Sequence, residues 1–273
     1  MDHTVVILNH NGEDILLSCL EVATNQDGAE VVVLDNASTD SSADVAKTFG
    51  VEVLHADNRH QFITGLNEAF RQTDTPWVLF LQNDVLLDAH CVERLMHMTE
   101  AYGTHTIYQP ILFNTDESYN HCGGQYFWPG IGRGYPKPLN KQRCYQVPLF
   151  STACFLMHRK AYEWIGPFDV ALAPAYYEDV DYSLRAVRKR IRCMVVPCAT
   201  ATHLSTFTFT QLHSKRVLSE ICQRNRKHVV RKHTRGLDRL TRLAGLTVLD
   251  TLATGISHLH GDTYRLPPSC DWL

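Results

Sequence analysis

Asp35 stands where a short apolar run, residues 31–34, ends and a polar segment begins. Ligands of open α/β sheets bind outside the carboxyl ends of strands, so a carboxylate at this point is well placed for binding. It can accept a hydrogen bond from the N3–H group of uracil or thymine. Ser38, Thr39 and Asp40, which follow, are typical residues for capping the next helix. We therefore assign capping to the later residues and a binding role to Asp35.

A second acid, Asp84, follows a predicted buried strand at residues 77–81, after Gln82 and Asn83. A carboxylate at the edge of buried surface can hold a hard divalent cation, which takes oxygen ligands and bridges phosphates. An Asn-Asp pair is also an ordinary turn sequence. The motif alone leaves both the metal site and the turn open.

Three further acids, Glu178, Asp179 and Asp181, fall within four residues at the start of a predicted helix. The helix macrodipole favours acids at this end, which is a sufficient structural reason for them. The functional alternative is a general base, a carboxylate that removes a proton from an attacking hydroxyl. His203 follows in the next predicted strand region. Because the chain has 15 histidines, His203 counts as a metal ligand only through the motifs around it.

The elements that must position these side chains alternate over the first hundred residues. Short apolar runs predict buried parallel strands at residues 5–8, 31–34, 51–54 and 78–81. The segments between them carry apolar residues at helical spacing, and Asp88 is predicted to cap a further helix. This alternation predicts an α/β fold with a Rossmann-like, mostly parallel sheet flanked by helices.

The middle of the chain, residues 119–148, differs because glycines, prolines and aromatic residues such as Trp128 punctuate it. We predict an irregular loop or small hairpins, either a substrate lid or a plain surface excursion. A strand at residues 150–157, a short helix ending at Gly166, a helix at residues 179–189 and a strand at residues 193–196 are predicted to follow.

Composition narrows the class of protein. The 273 residues are 44% hydrophobic and 20% charged, which is typical of a globular protein. A net charge of −3 gives no electrostatic case for nucleic-acid binding. The nine cysteines include no C-x-x-C pair, which favours reduced thiols over a disulfide framework. The opening strand does not resemble a signal peptide, and no apolar run is long enough to span a membrane. A cytoplasmic location is expected.

The C-terminal segment, from residue 212 onward, is predicted to be helical and is rich in Lys and Arg up to Arg242. An amphipathic stretch follows at residues 249–259. One interpretation is a solvated helix packed on the catalytic domain or on a second subunit, because charge runs are usually solvated faces. The other is peripheral contact with an anionic membrane surface, at the inner face of the membrane, that brings the protein to a lipid-linked partner.

Taken in order, these motifs resemble the family 2 glycosyltransferases of the GT-A fold, especially the bacterial rhamnosyltransferase-like branch. The resemblance extends from residue 5 to about residue 232. It rests on NHNG (9–12), VLDNASTD (33–40), Asn58 followed by GLN (65–67), STACFL (151–156), GPFD (166–169), YEDVDYSLR (177–185) and RNR (224–226). Any one motif is weak, and the ordered set is specific.

The resemblance implies a role for each matching residue. Asp35 would bind a pyrimidine, Asp84 and His203 would hold Mg²⁺ or Mn²⁺ on the donor diphosphate, and Asp179 would be the base. The remaining catalytic candidate is Glu178. The further donor-binding candidates are Asn9, Asn58, Gly65, Asn67, Gln82, Asn83 and Arg224. The acceptor-side candidates are Trp128, Tyr177 and Asp181.

Two residues depart from the family pattern. The first acid of the family's D-x-D motif is replaced by Gln82, an exchange that is familiar in the rhamnosyltransferase-like branch. The exchange removes a charge near the ribose and the metal, so a modest metal affinity is expected. Thr152 stands where glycine is common, which affects the fit of the donor sugar.

The implied activity is inverting transfer of a sugar from a UDP- or dTDP-sugar to a hydroxyl of a saccharide or lipid-linked acceptor. A catalytically weak or inactive nucleotide-sugar-binding protein is the first alternative, suggested by Gln82. A sugar-phosphate nucleotidyltransferase is the second, although Asn9-His10-Asn11-Gly12 lacks the basic residue of its phosphate loop. We expect a nucleotide-sugar-binding half at residues 1–118, an acceptor and catalytic half at 119–210 and a helical extension at 211–273. A homodimer is a further expectation.

Overall fold

A computed structural model describes the chain at residues 2–57, 61–204 and 214–259. Asn58, one of the predicted donor-binding residues, lies outside these ranges. The strands are β1 (His3–Asn9), β2 (Glu30–Asp35), β3 (Glu52–His55), β4 (Trp77–Gln82), β5 (Val85–Leu87), β6 (Thr106–Phe113), β7 (Tyr119–His121), β8 (Gly124–Phe127), β9 (Ile131–Gly134), β10 (Tyr145–Val147), β11 (Cys154–His158) and β12 (Arg192–His203).

The described residues form eight α-helices. They are α1 (Glu13–Ala23), α2 (Ser42–Thr48), α3 (Phe62–Arg71), α4 (Cys91–Tyr102), α5 (Arg159–Ile165), α6 (Glu178–Arg188), α7 (Lys215–His233) and α8 (Gly236–Leu259). A short 3-10 turn, Val170–Leu172, precedes α6. None of the helices in the described ranges is long and apolar enough to cross a membrane.

A single ten-stranded sheet forms the centre of the molecule, in the order β10-β12-β6-β11-β4-β1-β2-β3, with β5 against β12 and β7 against β6. The four strands predicted from apolar runs pair in parallel, as expected. The side chains of β1 and β4 are almost all buried, whereas those of the edge strand β3 are half-buried or exposed. Separate apolar clusters fill the two faces of the sheet. The α/β fold class with a mostly parallel sheet flanked by helices is confirmed.

The register of the strands brings several predicted site residues to one end of the sheet. Asn9 at the end of β1 lies beside Asp35 at the end of β2. Leu8 lies beside Gln82 at the end of β4. Parallel strands share the same carboxyl edge, so these residues converge there.

Two predicted elements differ in the structure. The strand predicted at residues 193–196 is the start of the twelve-residue β12, which continues past an irregular register between Val196 and Thr200. The helix expected to be capped by Asp88 starts at Cys91 after His90, which adopts a left-handed conformation. Asp88 is not a cap because its carboxylate accepts a hydrogen bond from the Thr200 hydroxyl. Residues 119–148 do form small strands, including the β8–β9 hairpin.

The basic helix α7 packs on α6 and on the segment before it through buried and half-buried ion pairs. Asp181 on α6 accepts hydrogen bonds from His233 Nε2 at 2.7 Å and from Arg185 Nε at 2.9 Å, and Lys232 Nζ lies 2.8 Å away. Asp169 pairs with Lys232 as well, at 2.6 Å. These contacts support the packing interpretation of the basic segment.

Asp181→Asn should therefore loosen α7 and lower the free energy of unfolding by about 3 kcal/mol, because it leaves the largely buried Arg185 without a charged partner and weakens the contacts to His233 and Lys232. Burial opposes ionisation of Asp181, but the His233 hydrogen bond, the Arg185 charge and Lys232 together hold its pKa below the ordinary value. Its contribution is thus present above the unfolded pKa of about 3.9 and is lost as the pH falls below it.

Urea unfolding of the wild type and Asp181→Asn across acidic and neutral pH measures this difference. The gap between the two proteins should narrow on acidification. Asp44→Asn is the matched control, since Asp44 forms an exposed pair with Lys47 and should change stability little. Equal stability of Asp181→Asn and wild type at neutral pH would contradict the role of the network.

Candidate active site

Two buried asparagines join the strand ends beneath the site. Asn83 Nδ2 donates to Asn9 Oδ1 at 2.7 Å, and Asn9 Nδ2 donates to Ser38 Oγ at 3.2 Å. Gly12 lies so close that an added Cβ would approach Asn83 Nδ2 to 2.1 Å and Asn9 Oδ1 to 2.4 Å. The predicted donor-binding residues Asn9 and Asn83 thus connect the end of β1 to the residue that follows β4. A side chain at position 12 would collide with both asparagines, so glycine is required there.

Asp35 presents a buried acceptor at the end of β2. Its Oδ2 accepts a hydrogen bond from the Ser38 backbone N–H at 3.2 Å and lies 3.8 Å from His55 Nδ1. Its Oδ1 is buried and has no hydrogen-bond partner among the described residues. A buried acceptor without a donor costs free energy. The side chain is therefore suited to receive an N–H group from a ligand.

Asp84 and His203 meet because β5 and β12 pair in antiparallel fashion, with Val85 opposite His203. The Leu204 N–H also donates to the Asp84 carbonyl at 2.8 Å. Asp84 Oδ1 lies 3.4 Å from His203 Nε2, and both side chains are largely buried. Oxygen and nitrogen ligands lie about 2.0–2.2 Å from a small divalent cation, so a pair this far apart fits one shared ion.

Glu178 and Asp179 are the first two residues of α6. Two left-handed residues, Tyr176 and Tyr177, turn the chain directly before the helix. Glu178 is buried and accepts a hydrogen bond from the Thr152 hydroxyl at 2.9 Å, while Asp179 accepts from the Val180 N–H at 2.7 Å. Thr152, where glycine was expected, therefore fixes one of the two carboxylates.

Both carboxylates hold protons more strongly than usual. Burial raises the pKa of Glu178. Burial and, next, the charge of Glu178 raise the pKa of Asp179 to about 8. The two groups titrate as a pair, and a carboxylate whose pKa lies near neutral pH is suited to general acid–base chemistry.

Several residues predicted to bind the donor make contacts that hold secondary-structure elements together. Asn67 Oδ1 accepts hydrogen bonds from the Phe168 N–H and the Tyr162 hydroxyl, and its Nδ2 donates to the Phe168 carbonyl. Gly65 packs so closely on Leu8 that an added Cβ would lie 2.3 Å from Leu8 Cδ1. The contacts seen at both residues are structural.

Arg224, also predicted to bind the donor, donates to the Ala173 carbonyl and to Asn225 Oδ1. Asn225 is fully buried, and its Nδ2 lies 2.7–2.9 Å from the carbonyls of Leu172, Ala175 and Tyr176. The Arg-Asn pair therefore fixes the segment that leads into the acids of α6.

The three predicted acceptor-side residues differ in how far they are exposed to solvent. Asp181 is fully buried, bound to cations of α6 and α7, so it cannot contact an acceptor. Tyr177 is buried in the apolar cluster under α7. Trp128 follows β8, before the turn into β9, and is 60% exposed. Of the three, only Trp128 offers a surface to a ligand.

Sequence reasoning missed Asn120, which lies against His203, with Asn120 Oδ1 3.2 Å from His203 Nδ1. Asn120 belongs to the segment predicted as irregular, where spacing carries no signal. A separate group of possible metal ligands, Asp27, His90 and Glu93, occurs in the described part of the chain. All three are exposed and none belongs to the strand-end site, so this group has no part in it.

Three solved structures have the same fold at low sequence identity. GalNAc-T7 with UDP, GalNAc and Mn²⁺ is 15% identical with a TM-score of 0.64, over 98% of this chain and 59% of that chain. TarS 1–349 from S. aureus with UDP-GlcNAc is 16% identical with a TM-score of 0.61, over 100% of this chain and 80% of that chain. The mannosyltransferase PcManGT from Pyrobaculum calidifontis with GDP-Man and Mn²⁺ is 14% identical with a TM-score of 0.62, over 97% of this chain and 82% of that chain.

The chain thus spans well under two thirds of the GalNAc-T7 chain. No curated protein sequence matches it significantly. The family model for glycosyl transferase family 2 matches residues 4–166, more than half of the chain. This match covers the strands whose ends carry Asp35 and Asp84. The chain belongs to glycosyltransferase family 2.

Proposed function

We propose that this glycosyltransferase is an inverting enzyme that uses a UDP- or dTDP-sugar and a divalent cation, Mg²⁺ or Mn²⁺. The observation that carries the proposal is the Asp84–His203 pair, whose facing ligand atoms lie 3.4 Å apart. Asp84 Oδ1 is buried and has no hydrogen-bond partner in the described part of the chain, as expected of an oxygen that receives a cation. The Mn²⁺ bound by GalNAc-T7 and PcManGT supports the metal.

The nucleotide preference rests on Asp35. Its buried Oδ1 would accept the N3–H of a pyrimidine, while the neighbouring Ser38 N–H occupies Oδ2. UDP or UDP-GlcNAc in the GalNAc-T7 and TarS structures supports a pyrimidine donor, and PcManGT was solved with GDP-Man. Gln82, the last residue of β4 and two residues before Asp84, would approach the ribose without adding a charge.

In the proposed transfer reaction, two side chains would bind the cation and a third would accept the proton of the acceptor. Asp84 and His203 would hold the cation, which when bound supplies positive charge for the leaving diphosphate. Asp179 would accept the proton of the acceptor hydroxyl as the hydroxyl oxygen bonds to the anomeric carbon. The bond from that carbon to the diphosphate oxygen breaks on the opposite face, so the anomeric configuration inverts.

The acceptor would lie near the β8–β9 hairpin. Tyr126 of β8 packs against the apolar cluster that contains Tyr177, which places the hairpin beside the start of α6. Exposed Trp128 offers a flat apolar surface on which a sugar ring of a saccharide or lipid-linked acceptor can stack.

Asp179→Asn should reduce turnover about 10²–10⁴-fold, the usual contribution of a general base, and leave donor affinity unchanged. Single-turnover transfer and calorimetric donor binding measure the two effects. Glu178→Gln is the matched control because it keeps the Thr152 hydrogen bond. If Glu178→Gln abolishes transfer while Asp179→Asn retains it, the base is the neighbouring residue.

The pH profile of kcat/KM should show an acid limb near pH 8, because the base must be deprotonated and burial raises the pKa of Asp179 to about 8. Glu178→Gln removes the second cause of that shift, so the limb should move to lower pH while burial retains part of it. A profile that is flat through this range, or a limb that Glu178→Gln does not move, would contradict the proposed pair.

Activity should be lost in excess chelator and restored by Mg²⁺ or Mn²⁺. Asp84→Ala and His203→Ala should each require a higher metal concentration for half-maximal activity, because each removes one ligand. Asp88→Ala serves as the control, since Asp88 is near in sequence but faces Thr200. Full activity of the wild type in chelator would leave Asp84 and His203 with structural roles only.

A further inference from the structure

His203 has two ring nitrogens with different surroundings. Nε2 lies 3.4 Å from Asp84 Oδ1, and Nδ1 lies 3.2 Å from Asn120 Oδ1. A neutral imidazole carries its proton on one nitrogen only, and only the other nitrogen can bind a cation. The nature of the atom that faces Nδ1 therefore decides whether Nε2 can serve as a ligand.

The orientation of the Asn120 amide is fixed by Asn114. Asn120 Nδ2 donates to Asn114 Oδ1 at 2.7 Å. The side-chain oxygen of Asn120 therefore faces the imidazole of His203. A carboxamide oxygen accepts hydrogen bonds and does not donate them. His203 must accordingly donate from Nδ1, and Nε2 is the nitrogen left for the cation that Asp84 would share.

Asn114 is oriented in turn by two residues of the same turn. Its Nδ2 donates to Ser118 Oγ at 2.8 Å, and the Ser118 hydroxyl donates to Asp116 Oδ1 at 2.5 Å. A carboxylate is an acceptor only. The hydrogen bond from the Ser118 side chain and then that from its backbone lower the pKa of Asp116, so this end of the chain of hydrogen bonds is ionised near neutral pH.

The direction of all four hydrogen bonds is thus set at Asp116. Reversing the Asn120 amide would place its oxygen 2.7 Å from the Asn114 oxygen unless Asn114 reversed too. Reversing Asn114 would demand the Ser118 proton and break the bond to Asp116, which is charge-assisted and among the stronger kinds. One arrangement keeps all four of these hydrogen bonds.

The backbone holds the series in place. Residues 114–118 form the turn between β6 and β7, closed by hydrogen bonds from the Asn114 N–H to the Ser118 carbonyl and from the Glu117 N–H to the Asn114 carbonyl. β6 pairs with β7 and with β12, with Phe113 beside both Tyr119 and Thr202. Pairing of β6 with both β7 and β12 therefore brings Asn120 and His203 into contact.

We propose that Asn120 is a positioning residue for the metal site: the hydrogen-bond series Asp116–Ser118–Asn114–Asn120 holds His203 in its Nδ1–H form and presents Nε2 to the cation shared with Asp84. This inference rests on the proposed metal role of Asp84 and His203. Groups that orient a metal-binding histidine typically affect metal affinity about 10–100-fold.

Two readouts test the proposal. The first is the ¹⁵N NMR spectrum of histidine-labelled protein without metal, above the ordinary histidine pKa of about 6.5, with His203 assigned by comparison with His203→Gln. Wild-type His203 should show protonated Nδ1, and Asn120→Ala should lose this preference. An unprotonated Nδ1 in the wild type overturns the proposal.

The second readout is Mn²⁺ affinity, measured by electron paramagnetic resonance with UDP present. Asn120→Ala should bind Mn²⁺ about 10–100-fold more weakly than wild type. Asn120→Asp keeps an acceptor for Nδ1 and should restore most of the affinity. Asn140→Ala, which removes an exposed turn asparagine, is the matched control.

These measurements distinguish the positioning role of Asn120 from the metal-binding role of Asp84 and His203. Wild-type affinity in Asn120→Ala, with His203 still required for Mn²⁺ binding, overturns the positioning role and leaves the metal site standing. No Mn²⁺ binding by wild type refutes the metal site itself, and the NMR result then decides whether the hydrogen-bond series fixes the imidazole.

Discussion

The site depends on one constraint, the parallel register that ends β1, β2 and β4 at the same edge of the sheet. Both faces of these strands are buried, so polar side chains can reach a ligand only at the strand ends. The Asn9–Asn83 hydrogen bond locks two of those ends together. Antiparallel pairing of β5 with β12 then adds His203 to Asp84. Sheet topology thus brings the candidate donor-binding side chains to one edge of the sheet.

The second half of the chain contributes acids whose position depends on α7. Asn225 holds the carbonyls of the segment before α6, and Asp181 ties α6 to His233 and Lys232. The basic helix α7 therefore holds in place the segment that carries Glu178 and Asp179. Burial at this junction raises the pKa of Glu178 and that of Asp179.

Strand–helix alternation in the sequence was sufficient to predict the α/β fold, because fully buried strands produce continuous apolar runs. The ordered motifs also predicted Asp35, Asp84, Asp179 and His203 as site candidates. Contacts that depend on tertiary neighbours could not be predicted. Asp181 belongs to the acidic motif, yet it forms buried ion pairs with His233 and Lys232, which lie about fifty residues later in the sequence. Asn120 lies in an irregular segment, and only the pairing of β6 with β7 and β12 brings it to His203.

Calorimetric titration with UDP, dTDP and GDP, each with and without Mn²⁺, tests the central claim that the strand ends form one site for a pyrimidine nucleotide and a cation. The account predicts that Mn²⁺ strengthens binding of both pyrimidine diphosphates, that GDP binds more weakly, and that Asp35→Ala removes this preference. Equal binding with and without Mn²⁺, or a preference for GDP, would contradict it.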